Sequence, residues 1–322
     1  MRGLSCLTTI TTFFLVSCVG LRPAPQRFEY RQIHMGVEAR IVLHAPDSVR
    51  ARAAAAAAYA RIAELDASMS DYRDDSELNR LTTRPPRTWI PVSAPLFTVL
   101  EAGQHMARLS SGAFDVTAGP QVRLWREARR RGAAPTADAR AAALEISGWR
   151  LLELDPRERA VRLLTPGMQL DLGGIAKGYA ADEALRVLGE HGLPRALIEF
   201  GGDIAVGDPP PGRRAWEVRV GDAGGAPAVL QLSRAAVSTS GDGVQYVEID
   251  GIRYSHVVDP RTGEALRDQF TATVVAPRAM ISDAVATLAG VLGPVEAENF
   301  VARHLPGVRV FVRRVEPGSE DG

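Results

Sequence analysis

The chain has 322 residues, 46% of them hydrophobic and 24% charged, with 38 basic side chains offset by 38 acidic ones. That length can bury a large core as one domain or two. A formal net charge of zero argues against a nucleic-acid or polyanion partner.

Met1-Arg2 is a minimal positive start, and Leu4 to Val16 is largely apolar with several threonines. Leu15-Val16-Ser17-Cys18 matches a bacterial lipobox, where cleavage precedes a cysteine that receives lipid; an ordinary signal peptide with an incidental cysteine is the alternative. The stretch is too short and too polar for a spanning helix. Residues 1–17 are therefore expected to be removed, with lipidation at Cys18 and a tether over 18–27 that contains Pro23 and Pro25. Cys6 falls in the removed part, so no thiol chemistry is expected in the mature protein. The expected product is one domain over 28–313 with a loose tail at 314–322, lipid-anchored in the cell envelope and facing the periplasm.

Phe28 to Ile33 and Val37 to Ala45 read as strands joined by Met35-Gly36. Ser48 to Ser68 predicts a helix built on an alanine run, with Ile62 and Leu65 on one face. The polar stretch Met69 to Leu78 carries one aromatic, Tyr72, and places Ser76 to cap a short helix. Pro85 to Val92 is a loop and short strand, and Ala94 to Leu109 a helix with Leu96, Val99, Leu100 and Met106 inward. A loop of small residues, Ser111 to Pro120, surrounds Phe114 and Asp115. Helices follow over Gln121 to Arg131 and from Thr136 to about Ile146; the basic run Arg126 to Arg131 reads as a solvated helix face. Leu151 to Leu154 and Ala160 to Leu164 suggest a hairpin.

Residues 169–183 are the centre of the chain: a strand end (Met168 to Leu172), a glycine turn (Gly173, Gly174) and a helix to about His191. Such a junction places free N–H groups and a positive dipole end at one point, a ready anion site. The spacing is neither a Walker loop nor a dinucleotide fingerprint. A structural turn with a surface lysine is the plain alternative. Against it, Lys177 is the single lysine among the 38 Lys and Arg. A basic position that stays lysine needs a compact ammonium on a flexible stem rather than a planar fork.

Further on, Ala196 to Phe200 is a short buried strand ending in Gly201-Gly202-Asp203, a turn that also lets backbone approach a ligand. Strands follow at Trp216 to Val220, Val229 to Leu232 and Tyr246 to Ile249, then a turn at Asp250-Gly251 and a return strand from Arg253 to Val258. Ser238 to Asp242 is rich in hydroxyls and suits the lining of a polar pocket. Thr271 to Ala276 is a strand, Ala279 to Leu292 and Val295 to His304 are helices, and Val308 to Val312 closes the domain. Interleaved helices and hairpins predict an α+β class: a mixed β-sheet packed with helices, without internal repeat or dividing linker.

Asp283 and Thr287 lie four apart on a helix and share a face. A carboxylate and a hydroxyl there are hard donors suited to Mg2+, although a capping Asp and a packed Thr have the same spacing. His256 reads either as a satisfied core histidine or as a base.

Taken in order, Met35-Gly36, Met69 to Leu78, Gly112 to Pro120, Asp171 to Ala180, Gly201 to Asp203, Ser238 to Asp242, Tyr254 to Gly263 and Asp283 to Thr287 resemble the ApbE family of FAD:protein FMN transferases. The resemblance spans nearly the whole mature chain and implies an ApbE-like fold. Val37, Gly243 and Gln245 depart from the residues expected at their positions. The implied activity is Mg2+-dependent transfer of FMN from FAD to a Thr or Ser hydroxyl of an acceptor protein, with release of AMP. By motif match, Asp283, Thr287 and the carbonyl of Gly174 would hold Mg2+. Met35, Tyr72, Ala113, Phe114, Asp115, Asp171, Lys177, His256 and Val258 would line the FAD site. Lys177 would help neutralise the pyrophosphate, and His256 is the candidate base, with an Asp near the metal as the alternative. The implied acceptors are electron-transfer membrane complexes of the Na+-pumping or Rnf kind. An FAD pyrophosphatase, in which water replaces the acceptor, and a non-catalytic flavin-binding lipoprotein are the competing readings.

Overall fold

The computed structural model describes residues 24–220, 225–241 and 246–315. Residues 1–17, Cys18, most of the tether, the segment with Asp242, Gly243 and Gln245, and the tail from 316 lie outside the described residues. The chain enters through a hairpin, β1 (Gln26–His34) and β2 (Val37–Ala45). β1 starts two residues inside the stretch read as tether. Helix α1 (Ser48–Met69) is capped by Asp47, whose carboxylate accepts the Arg50 N–H at 2.8 Å. Its buried stripe of Ala51, Ala54, Ala55 and Ala58 runs into Ile62 and Leu65. Small residues there allow close approach of the backbone.

Next come α2 (Glu77–Thr82), capped by Ser76 as expected, β3 (Ile90–Pro91), α3 (Ala94–Leu109), α4 (Gly119–Arg131) and α5 (Ala137–Glu145). β4 (Leu152–Asp155) and β5 (Ala160–Leu163) form the expected hairpin, and β3 joins them in a small sheet. The second half holds α6 (Ala176–Glu190), β6 (Ala196–Phe200), β7 (Asp203–Val206), β8 (Trp216–Arg219), β9 (Val229–Leu232), β10 (Ala235–Gly241), β11 (Tyr246–Ile249), β12 (Ile252–Ser255), β13 (Val258–Asp259), β14 (Glu264–Ala265), β15 (Gln269–Ala276), α7 (Ala279–Leu292), α8 (Pro294–His304) and β16 (Arg309–Val315). β16 thus takes in the first two residues of the expected tail.

The α+β class is as expected. Seven strands form the main sheet in the order β1-β2-β6-β7-β10-β15-β16, and each junction is antiparallel, so the sheet mixes in no parallel strand. Alternation along the strands splits the core in two. Ile41, Leu43, Ile198, Ala205, Ala236 and Val274 face the helices, whereas Val42, Leu197, Val206, Val237 and Val275 pack with Trp216, Leu230 and Leu232 from the β8–β9 hairpin. Both faces are therefore covered.

Three local expectations change. Met168 to Leu172 is not a strand: Met168, Leu170 and Leu172 are buried, but the segment's backbone reaches across through Asp171 N–H to Val116 O at 2.8 Å. β7 and β10, which sequence patterning left unassigned, lie in the middle of the main sheet. The return strand breaks after Ser255, and His256 sits on the link between β12 and β13.

The contact that builds the site is α6 on α7. A Cβ on Gly178 would lie 2.2 Å from the Ala279 carbonyl oxygen, so only glycine permits this approach. α7 has no cap of its own; Asp182 of α6 accepts the Ala279 and Met280 N–H groups at 2.8 and 3.1 Å and caps it from outside. Ser238 of β10 fixes the same helix through a 2.8 Å hydroxyl pair with Ser282. The hydroxyls of this stretch therefore serve packing: Ser238 is buried, and Thr239 pairs with Thr273 at 3.0 Å.

Candidate active site

α6 begins without a side-chain cap, leaving its first N–H groups and dipole end for other partners. The partner that arrives is Asp283 of α7, whose Oδ2 accepts the Gly178 N–H at 3.0 Å. The anion at this helix terminus is thus a side chain of the protein itself. Lys177 Nζ lies 3.0 Å from Asp203 Oδ2, 3.4 and 3.5 Å from the Asp283 oxygens, and 3.3 Å from Gly173 O. Asp203 is delivered by the β6–β7 turn, where Gly201 and Gly202 have φ of +59° and +98°. The turn packs on the neighbouring hairpin: a Cβ on Gly201 would lie 2.9 Å from Val37 Cγ2. Met35, at the tip of that hairpin with φ +47°, is half-buried beside it in the chain.

Two carboxylates thus share one ammonium in a buried place, leaving one negative charge in excess. Burial, reinforced by Asp203, pushes the Asp283 carboxyl up to about 7, against the pull of Lys177 and the Gly178 N–H. Burial also works against the Lys177 ammonium, but Asp203 and Asp283 outweigh it and hold its pKa above the usual lysine range. With 24% of its side-chain surface exposed, Lys177 is still reachable. Thr287 adjoins this cluster: a Cβ on Gly174 would lie 2.9 Å from its Oγ1. Gly174 and Thr287 are therefore neighbours, and Asp283 lies one helical turn before Thr287 on α7. Among the described residues no group of three His, Cys, Asp or Glu gathers to hold a metal. A carboxylate and a hydroxyl four residues apart on one helix, beside a glycine turn, nevertheless fit Mg2+, which takes few protein donors and completes its shell with water and phosphate oxygens.

A second cluster lies on the other side of the turn. Asp171 accepts the Gly173 N–H at 2.7 Å through Oδ1 and Arg126 Nη2 at 2.8 Å through Oδ2. Arg126 Nη1 donates to Asp71, and the guanidinium lies 4.5 Å from the Tyr72 ring centroid. Arg126 is no solvated residue, contrary to the reading of the basic run. Val122, Trp125, Arg126 and Arg129 form an i, i+3, i+4, i+7 stripe, and that stripe was the available signal.

The small-residue loop meets the second cluster through the Asp171 N–H to Val116 O bond. Asp115 Oδ1 accepts the Thr117 N–H and hydroxyl at 2.8 and 2.7 Å, and burial raises its pKa against those two donors. Ala113 and Phe114 are core side chains. The side chain of Val258 is likewise buried, with Trp125 and Tyr254. His256 is half-buried, its backbone fixed on both sides by Ser255 N–H to Leu266 O and Leu266 N–H to Val257 O, at 2.7 and 2.9 Å. Lys177, Asp203, Asp283 and the Gly178 N–H are joined to one another. Asp182, Asp71 and the pairing of Asp203 with Lys177 escaped sequence reasoning, because each links residues far apart in the chain.

The ApbE family profile matches residues 35–312. An FAD:protein FMN transferase of Treponema pallidum (strain Nichols) is 32% identical over 311 residues, covering 91% of this chain and 85% of that protein. One from Chlamydia trachomatis serovar D is 31% identical, with 88% and 89% covered. The apo crystal structure of Pseudomonas stutzeri flavinyl transferase ApbE superposes with a TM-score of 0.80 at 28% identity, covering 91% of this chain and 93% of that one. The chain belongs to the ApbE family.

Proposed function

We propose that the chain transfers FMN from FAD to a Thr or Ser hydroxyl of an acceptor protein, with Mg2+ held by Asp283, Thr287 and the Gly174 carbonyl. The observation that carries this reading is the Lys177–Asp203–Asp283 cluster beside Thr287 and Gly174. The acceptor oxygen attacks the phosphorus on the riboflavin side of the pyrophosphate. The phosphoanhydride bond breaks, AMP leaves, and the hydroxyl proton passes to a base, for which His256 is the candidate. Lys177 is already held charged, so it meets the pyrophosphate as a preformed cation and steadies the leaving phosphate. Mg2+ would supply further charge neutralisation at the same oxygens. Met35, Tyr72, Asp171 and the 113–115 loop would line the FAD site, Asp171 holding the turn through the Gly173 N–H. The Leu15 to Cys18 segment supports a lipid anchor at a membrane surface facing the periplasm, where an electron-transfer complex is the acceptor class the reading favours.

The test follows AMP and covalent protein flavin together, using the full chain with FAD, Mg2+ and a candidate acceptor domain. AMP formed in step with protein-bound flavin is expected, and Asp283→Ala is expected to lower both by about 100-fold or more. AMP with free FMN and no acceptor dependence would identify a pyrophosphatase. FAD binding without AMP would leave a flavin-binding protein.

A further inference from the structure

We infer that Arg126 is a positioning residue for the flavin donor, setting the Tyr72 ring and the Asp171 carboxylate against the glycine turn. This rests on the flavin-transfer reading above. Arg126 reaches from α4 to two separate segments. One η nitrogen holds Asp71 in the 69–78 loop; the other holds Asp171 at 2.8 Å, three residues before Gly174. Asp171 in turn fixes the turn through the Gly173 N–H. One guanidinium therefore ties the aromatic loop to the phosphate-facing turn.

The same guanidinium lies 4.5 Å from the Tyr72 ring centroid, while Tyr72 is 77% exposed. One face of the ring rests on a cation and the rest is open to solvent. Exposed aromatics are ordinarily free to turn; this one has a guanidinium over its ring. A planar heteroaromatic ring is the chemistry that such a platform takes, and FAD carries two of them. Lysine could not replace this residue, because bridging two carboxylates from under a ring takes a planar fork. Arg129, one helical turn further on, also acts on Tyr72, but its pKa is lowered by burial and by Arg126, which sets it apart from the paired arginine.

The risk in a simple deletion is that Asp71 and Asp171 are left facing each other without a cation. That would destabilise the fold whatever the role of Arg126. The double variant Arg126→Gln/Asp71→Asn removes the facing carboxylate pair, leaving Asp171 with its Gly173 N–H, and separates the two roles. FAD affinity is read by equilibrium binding without acceptor, KM and kcat by AMP release, and stability by Tm, with Arg130→Gln as the control from the exposed side of α4. The expected result is a wild-type Tm in the double variant with KM and Kd for FAD raised about tenfold and kcat within about threefold of the parent. Arg126→Lys is expected to recover only part of the affinity. A double variant with parental Tm and parental FAD affinity would overturn the inference and leave Arg126 as a charge neutraliser. A parent chain that binds no FAD would overturn the flavin reading and this inference with it.

Discussion

The two clusters flanking the glycine turn have the same charge count and opposite construction. Each places one cation between two carboxylates: Lys177 with Asp203 and Asp283, Arg126 with Asp71 and Asp171. Arg126 gives each carboxylate its own nitrogen, and a planar fork with two fixed partners is a brace. Lys177 has one nitrogen for everything. It sits at 3.0 Å from Asp203 but only 3.4 Å from Asp283, which also depends on a helix N–H. Asp283 thus has the longer contact to the lysine, and Thr287 lies one turn further along its helix. In the proposed reaction the arginine set would stay closed, and the lysine set is the one that would exchange partners with phosphates and a cation. This gives a physical reason for one lysine in a chain that otherwise uses arginine.

The sharpest way to break the comparison is Lys177→Arg, which keeps the charge and changes only its shape. A fork at this position would bridge Asp203 and Asp283 as Arg126 bridges its own pair, and would withdraw Asp283 from Thr287 and Gly174. AMP release is expected to fall about 100-fold while Tm stays level or rises. Activity within threefold of the parent would mean that charge alone matters at residue 177, and the contrast between the clusters would collapse.

Each cluster also depends on one glycine close approach. A Cβ on Gly178 would meet the Ala279 carbonyl oxygen at 2.2 Å, and one on Gly119 would meet the Gln169 carbonyl oxygen at 2.6 Å. Helix propensity alone predicts that Gly178→Ala stabilises α6 by about 1 kcal/mol. The clash is with rigid backbone, so it wins: a net loss of about 1–3 kcal/mol in urea unfolding is expected. Because the substitution moves α7, Asp283 moves with it, and Mg2+-dependent AMP release is expected to fall further than stability does. A stabilised Gly178→Ala protein would show that the α6–α7 approach is slack.

How much of this was legible beforehand follows the range of each interaction. α1, α3 and α7 carry long periodic apolar faces and appear where expected. β10 does not alternate, because its partners are hydroxyls: Ser238 meets Ser282 and Thr239 meets Thr273, so buried polar residues looked like a pocket wall. β7 is four residues long and begins at the Asp that closes a glycine turn, so it looked like part of the turn. Lys177, Asp283 and Thr287 could be found because composition or helical spacing marks each of them locally. The 122/125/126/129 stripe could have marked Arg126 as inward-facing, but not its partners, which lie 55 and 45 positions away. What one segment does for itself can be read from its residues; what it does for a distant segment required the fold.

The smallest effect separates the clusters by pH. Burial, then Asp171, raises the Asp71 carboxyl above its unfolded value near 3.8, with Arg126 opposing. The folded state therefore keeps a proton on Asp71 that the unfolded state has released. The resulting stability is present below about pH 3.8 and is lost as pH rises through the folded pKa. Asp71→Asn carries no charge to titrate, so its Tm is expected to fall less than that of the parent over the acidic range. The difference is expected to be the same with and without Mg2+, because the donors proposed for the metal belong to the lysine cluster. Equal slopes in the two proteins would show that Arg126 fully compensates Asp71. A slope difference abolished by Mg2+ would mean that the two clusters act as one site across the turn.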